Sequence, residues 1–310
     1  MVKIVNFISE SLCIEESELI SFAHTAPHRY KIYTIPKRSG NGRRTIAHPS
    51  KQLKFIQRLT LRLLQDVLPI HESALAYKKS ISIRDNANIH RKNQYLLKMD
   101  FKDFFPSITP SLLFRELERK NIIVSDEDKN FLASILFFKL RSNSSLKLSI
   151  GAPSSPLISN FIMHHFDQIL SSECKKMKIC YTRYADDITF STNIKDSLFK
   201  IPSIVKNILK NEKYPELKVN EEKTVFSSKA HNRHVTGITI TNEGALSVGR
   251  EKRRLLSASL HRYIEGKIDG ETKNTLKGQL SFAFFIEPQF KIRLQKKYGE
   301  RALEKLFSNE

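Results

Sequence analysis

Leu53, Ile56, Leu59, Leu63, Leu64 and Val67 recur at helical spacing, with Lys51, Lys54, Arg58 and Arg62 set toward the other side. This predicts an amphipathic helix opened by Pro49 and Ser50. Before it, Tyr30 to Ile35 reads as a short strand, Ser39 to Gly42 as a hairpin turn and Arg43 to Ala47 as the return strand. From Gln94 the run YLLKMDFKDFFPSI is of β type up to its two aspartates, and Pro106 closes it ahead of a helix from Ser111. Ser125 and Asp128 have the spacing of a capping box before an apolar helix over Phe131 to Phe138. The segment GAPSSP, Gly151 to Pro156, carries no long side chain and introduces a second apolar helix, LISNFIMHHFDQIL, whose first N–H groups need partners. Ile179 to Tyr184 and Ile188 to Ser191 flank a tight Ala-Asp-Asp turn, a hairpin with Asp186 and Asp187 at its tip. A helix over Ser197 to Asn211, strand-like pieces in VNEEKTVFSS and HVTGITI, and only helical patterns from Gly249 onward complete an α+β reading. There is no internal repeat and no low-complexity linker.

Composition adds a partner class. In 310 residues, 52 Lys and Arg stand against 32 Asp and Glu, a formal charge of +20, more than solubility requires and a pointer to a polyanion. Ten of those cations fall between Arg29 and Gln65 without one carboxylate, which reads as a phosphate track or as a solvated basic helix face. Cys13, Cys174 and Cys180 are an odd set with no ligand spacing, so buried thiols in a reducing cytoplasm are expected. The opening residues lack a secretory pattern, and no apolar run reaches the roughly 18 residues of a membrane span. His164, His165, Cys174 and Cys180 fit no common zinc site, because adjacent histidines diverge on a helix.

Asp100 ends one strand, and Asp186 with Asp187 tip a hairpin. Were these strands neighbours, three carboxylates would converge, and like charges so close either take up protons or bind metal. Two hard cations about 3.5–4 Å apart would neutralise them and clamp the attacking and leaving oxygens of a phosphoryl transfer, with Mg²⁺ the natural candidate and Mn²⁺ a substitute. The alternative is that adjacent aspartates simply form a turn.

The order MDFKDFF, GAPSSP, YADD, EKT and HVTG resembles the ordered motifs of reverse transcriptases. Within them the chain resembles the bacterial retron reverse transcriptases, through NANIH (Asn86 to His90) and VTG (Val235 to Gly237). The resemblance implies a right-hand polymerase with fingers, an antiparallel-sheet palm and a helical thumb. Its expected boundaries are residues 1–93 for the N-terminal region and fingers, 94–230 for the palm with a fingers insertion near 107–150, and 231–310 for the primer grip and thumb. It implies RNA-directed DNA synthesis that primes from a guanosine 2′-OH of the protein's own structured noncoding RNA and leaves a short DNA (msDNA) attached to it.

By the same resemblance, Asp100, the carbonyl of Phe101, Asp186 and Asp187 hold the metals. Asp103 lies near the incoming triphosphate or orients a neighbouring amide. Phe105 falls where the family places an aromatic gate that leaves no room for a ribose 2′-OH; Phe104 and Phe105 point opposite ways, so at most one serves. Arg44 matches the fingers arginine that binds the dNTP triphosphate, with Arg43 and Lys37 as weaker companions. Gly151 to Ser155 match the turn that lets backbone approach the nascent base pair, although Ser149 and Ile150 stand where the family usually has Pro-Gln. Lys223 matches a lysine that could protonate the departing pyrophosphate, or is a surface lysine. Asn86 and His90 contact RNA or make a structural hydrogen bond. Thr236 and Gly237 place the priming ribose or pack a turn.

The helical end carries Arg250, Arg253 and Arg254 among interleaved aromatics, a surface suited to an A-form duplex read by its backbone. The expected partners are the cognate RNA and its msDNA, dNTPs, a separate effector protein of an anti-phage defence system, and a host ribonuclease H, since the chain to Glu310 leaves no room for an appended nuclease; no membrane is expected. Two other readings stay open: a non-catalytic scaffold holding a hybrid and an effector inactive, and a group II intron-like template copier.

Overall fold

The computed structural model describes residues 3–37, 42–140 and 144–308. The chain forms α1 (Ile4–Leu12), α2 (Glu16–Thr25), β1 (Tyr30–Pro36), β2 (Arg43–Pro49), α3 (Lys51–Leu64), α4 (Ile83–His90), β3 (Tyr95–Lys102), α5 (Pro110–Arg119) and α6 (Asp126–Leu136). Then follow α7 (Ser155–Ile162), α8 (His164–Lys176), β4 (Cys180–Tyr184), β5 (Asp187–Thr192), α9 (Ile201–Asn211), β6 (Lys218–Val219), β7 (Val225–Ser228), β8 (Arg233–Val235), β9 (Ile238–Ile240), β10 (Leu246–Ser247), α10 (Arg250–Ile264), α11 (Gly270–Ile286), α12 (Pro288–Tyr298) and α13 (Glu300–Phe307). The fold is α+β, and none of its helices is long and apolar enough to cross a membrane among the described residues.

Two compact units result, one of residues 1–79, 99–188 and 199–224, the other of 80–98, 189–198 and 225–310. In the first, β1 and β2 form an antiparallel ribbon with Tyr30 opposite Pro49 and Pro36 opposite Arg43. The expected SGNG turn lies at Ser39 to Asn41, outside the described residues, apart from Gly42. Pro49 ends β2, and Ser50 alone caps α3, its hydroxyl accepting from the Leu53 N–H. Helix α3 buries Leu53, Ile56, Leu59 and Leu64 while Lys51, Arg58 and Arg62 stay exposed, as the spacing requires.

The capping of α6 differs from the expected box. Ser125 Oγ accepts from the Asp128 N–H at 3.1 Å, but Asp128 Oδ1 reaches instead to α1, accepting from the N–H groups of Ile4 and Val5 at 3.1 and 2.8 Å. A buried carboxylate thus satisfies two orphan donors where Lys3 offers no cap. The helix ends at Leu136, because Phe137 turns extended and Phe138 pairs with Lys147. The long apolar helix after GAPSSP is broken at Met163 into α7 and α8; Phe161, Ile162 and Met163 at the junction are all buried, so hydrophobicity alone did not reveal the break. Cys174 is buried, but Cys13 and Cys180 are exposed, contrary to the expectation of buried thiols.

Also in the first unit, the end of β3 lies between β6 and the start of β5, with β4 next to β5. In the second, the start of β3 pairs antiparallel with β7, Tyr95 opposite Ser228, and β8, β9 and β10 form a small antiparallel sheet against α4. Its core is Leu256, Leu260, Leu276, Leu280, Ile286, Phe290, Leu294 and Leu303 from α10 to α13, packed with Val235 and Ile238. Each such burial contributes about 1.5–3 kcal/mol, which sets these helices without help from propensity.

Candidate active site

Strand β3 is apolar on both sides of Asp100, with Met99 and Phe101 each 1% exposed, so the strand is pinned in place and its one carboxylate is carried inside. Main-chain bonds fix it further: the Asp100 carbonyl accepts from the Asn220 N–H at 2.7 Å, and the Phe101 N–H donates to the Asp186 carbonyl at 3.1 Å. The hairpin between β4 and β5 turns at Ala185, whose φ of 59° is unusual for a side chain with a Cβ. The result is that Asp100, Asp186 and Asp187 each offer an oxygen within 4.8 Å of the others. Asp100 is buried, Asp186 half-buried and Asp187 open to solvent at the mouth.

Burial first, then the Asp100 charge, raises the pKa of Asp186. Crowding by the protein, followed by the charges of Asp186 and Asp100, pushes Asp187 up to about 6, although its outer edge faces water. Lys223, in a 3-10 turn over Glu221–Lys223, places Nζ 3.0 Å from Asp100 Oδ2, with its side chain 58% exposed. One lysine against three carboxylates leaves an acidic excess, and oxygen donors in such excess suit a hard divalent cation.

A second charged group underlies the hairpin. Arg183 and Asp167 are fully buried and paired, with Nη2 to Oδ2 at 2.6 Å and Nε to Oδ1 at 2.8 Å. Tyr181 OH donates to Asp167 Oδ1 at 2.7 Å, while Arg183 Nη1 donates both to Asn160 Oδ1 and to the carbonyl of Ala185, each at 3.1 Å. Asn160 Nδ2 continues to the Ala76 carbonyl at 2.9 Å. Burial opposes the guanidinium charge, yet Asp167 more than offsets it. This network holds the strained turn from beneath. The sequence reading missed it; the available signal was an arginine two residues before Ala185 on an inward strand position, where an unpaired charge would be prohibitive.

The remaining candidates fall into distinct settings. Arg44 is exposed on β2, opposite Ile35, and its charge reaches Asp186 and Tyr77. Arg43 is instead tied to Thr34, Nε to Oγ1 at 2.7 Å. Asp103 is exposed with φ of 47°, and its carbonyl accepts from Ser107 N–H, so the local turn is held by main chain. Phe104 is 3% exposed and stacked on Phe101, whereas Phe105 is half-buried; of the two, Phe105 alone presents its ring outward. Gly151 has φ of +127°, and a Cβ there would lie 3.1 Å from the Ala47 carbonyl oxygen and 3.2 Å from Ile46 Cγ2. Its close approach is to β2, whose Ala47 N–H donates to the Ile150 carbonyl at 3.0 Å. Ser149, where the family usually has proline, is buried and holds the turn: its hydroxyl accepts from Ala152 N–H at 3.1 Å and its carbonyl accepts from Ser155 Oγ at 2.7 Å.

In the second unit, Asn86 and His90 are buried at 0% and 1% exposure. His90 Nδ1 and Asn93 Nδ2 each lie 2.7 Å from Ser191 Oγ, and burial lowers the imidazole pKa to about 3, so His90 is neutral. His90 thereby ties α4 to β5 through Ser191, and Asn86 is enclosed on the same helix. Thr236 and Gly237 form the two-residue turn between paired Val235 and Ile238, with φ of 47° and 81°, the two positive values a type I′ hairpin demands. Arg253 Nη1 is bound to Glu287 Oε1 at 3.1 Å; Arg293 meets the same oxygen, and Glu287 Oε2 accepts from Ser247 Oγ at 2.7 Å. Arg250 and Arg254 remain exposed beside a groove of about 590 Å³ that Arg293, Lys297 and His261 also line.

Residues 35–240 match the family model of reverse transcriptase (RNA-dependent DNA polymerase). The retron Ec83 reverse transcriptase of Escherichia coli is 47% identical over 279 residues, covering 89% of each chain. The Ec73 and Ec86 retron reverse transcriptases of the same organism are 34% and 32% identical, covering 88% and 96% of this chain and 88% and 91% of theirs. The reverse transcriptase family model over residues 35–240, with three clustered aspartates inside it, makes the chain an RNA-directed DNA polymerase. The chain belongs to the retron reverse transcriptases.

Proposed function

We propose that this polymerase extends a 2′-OH of its own structured noncoding RNA and copies part of that RNA into a short msDNA that stays joined to it. The observation that carries the catalytic half of the proposal is the convergence of Asp100, Asp186 and Asp187 within 4.8 Å. Their donor set fits divalent cations, Mg²⁺ first and Mn²⁺ as substitute, with the Phe101 carbonyl as a further ligand. When bound, a pair of such ions supplies Lewis acidity and charge neutralisation at the reacting phosphate.

The chain's own residues do the rest. Arg44 holds the triphosphate of the incoming dNTP through its guanidinium fork, with Asp103 at the edge of the same site. Phe105 presses against the sugar and excludes a 2′-OH. Gly151 keeps the turn of residues 151–155 against β2, and so spaces the nucleotide-binding arginine from the turn. Lys223, already within reach of the carboxylates, delivers a proton to the pyrophosphate. Residues 1–93, 94–230 with the insertion near 107–150, and 231–310 take the parts of fingers, palm and thumb. Thr236 and Gly237 present the primer; Arg250 and Arg254, steadied by the Arg253–Glu287 lock, follow the RNA backbone. Asn86 and His90 act on the RNA only through the position of α4. Such a product, in the cytoplasm with a host ribonuclease H to remove copied template and a separate effector protein, fits an anti-phage system.

The test is to purify the protein with its co-expressed RNA, supply labelled dNTPs and Mg²⁺, and resolve products before and after ribonuclease and debranching enzyme. DNA that leaves the RNA only on cleavage of a 2′–5′ bond is expected. DNA made solely from an added 3′-OH primer would replace this proposal with general template copying, and tight RNA binding without DNA would replace it with a scaffold.

A further inference from the structure

A groove of about 890 Å³ lies in the first unit between α5, α9 and β6. Its floor is the buried Leu112, Leu209, Leu217 and Tyr214, over which exposed Pro215 and half-buried Val219 supply the accessible apolar surface. Around the floor stand five cations: Arg115 from α5, Lys206 and Lys210 from α9, Lys213 just beyond it, and Lys218 from β6. The one carboxylate of the lining, Glu221, is already held by Lys206 Nζ at 2.6 Å. Catalysis uses none of these side chains.

The chemistry of the occupant follows from three features. The cations are strung out, Lys206 and Lys210 one turn apart, about 6 Å along the helix, and the others on separate elements; a compact phosphate would call for convergence on one point. The floor is carbon, which no phosphate backbone covers. No aromatic face is open for a base to stack on, since Tyr214 is 2% exposed with Arg115 over its ring at 4.9 Å and Phe166 edge-on at 6.4 Å. An elongated acidic strip that also brings a bulky apolar side chain satisfies all three.

We propose that the groove between α5, α9 and β6 docks a short acidic segment of a partner protein, which seats a leucine or aromatic side chain on Pro215 and Val219, above the closed leucine floor, and lays its carboxylates along Lys210, Lys213 and Lys218. The inference stands apart from the priming reading, because it uses no residue of the polymerase site. Such anchoring by one apolar residue inside a charged rim is the usual anatomy of a small interface.

The experiment is fluorescence anisotropy on the full protein with three labelled 12-residue peptides: one of glutamates with leucines at helical spacing, one with those leucines replaced by serine, and one with the glutamates replaced by lysine. A labelled oligouridine of equal charge to the first peptide is the fourth probe. The glutamate–leucine peptide should bind at least about tenfold more tightly than the other peptides, and the exposed double substitution Lys210→Glu, Lys213→Glu should weaken it by about tenfold. Oligouridine binding and RNA-templated DNA synthesis should be unchanged in that variant, which also shows that it folds. Equal binding of the glutamate–leucine and glutamate–serine peptides, no binding of either, or indifference to the double substitution would overturn the proposal. Loss of oligouridine binding in the variant would reassign the groove to nucleic acid.

Discussion

Two carboxylate sites in the first unit differ in how their charge is answered. Asp167 is wholly buried, yet it meets a bidentate guanidinium and a tyrosine hydroxyl, so every part of its charge has a partner. Asp100, Asp186 and Asp187 gather three carboxylates against one largely exposed lysine. The first arrangement is finished within the chain and holds a turn in place. The second is complete only with a cation from outside. A buried charge by itself therefore says little about function; an unanswered excess of charge at a solvent-facing mouth says much more.

The largest expected effect separates the two sites outright. Asp186→Asn should reduce DNA synthesis by about a thousandfold or more while RNA affinity is kept, since only cation binding is lost; a filter-binding assay beside an extension assay checks both. Arg183→Met should act on the other side of the comparison, destabilising the fold by about 3–5 kcal/mol because Asp167 is left buried and unpaired. Arg183→Lys should recover part of that stability but not the bond to the Ala185 carbonyl, so denaturant melts and turnover should recover unequally.

Smaller effects refine the picture. Phe105→Ala should raise ribonucleotide incorporation on the order of tenfold, whereas Phe104→Ala should cost stability without changing sugar choice, a contrast read from competition between dNTP and rNTP. The titration of the centre gives the mildest test. Asp187 ionises near pH 6 in the folded chain against 3.8 for the ordinary carboxyl. The folded state thus binds the extra proton between these values, and stability without metal falls as pH rises through that window. Asp187→Asn should therefore raise the Tm of metal-free protein at pH 7 and leave it unchanged at pH 3. By the same sign, cations compete with that proton, so the half-saturating Mg²⁺ concentration should climb about tenfold per pH unit below 6.

The motifs around Asp100, Asp186 and Asp187 were readable because strand ends and hairpin tips have local signals. Their convergence came from the family resemblance and not from local signals, since it depends on which strands become neighbours, and β3 meets β5 only through tertiary pairing. The periodicity of α3 and the helical run from Gly249 transferred directly, each set by one-sided burial. Met163, Phe137 and Phe138 defeated the same reasoning, for residues 161–163 and 135–138 are buried in succession, and a continuous buried run carries no periodicity to mark where a helix stops. Asp128 looked like part of a local cap, and its true acceptor role toward Ile4 and Val5 spans more than a hundred residues. Ser149 stood out only as a departure from the family's proline, and its bonds to Ala152 and Ser155 show that it braces the turn internally.

The most direct measurement is to titrate Mn²⁺ into the protein with template, primer and a non-hydrolysable dNTP analogue at pH 7.5, and count bound ions by electron paramagnetic resonance for the native chain and for Asp100→Asn. Two ions should be bound in the native complex and at least one lost in the variant, with RNA binding intact. Equal stoichiometry and affinity in the two proteins would contradict this expectation.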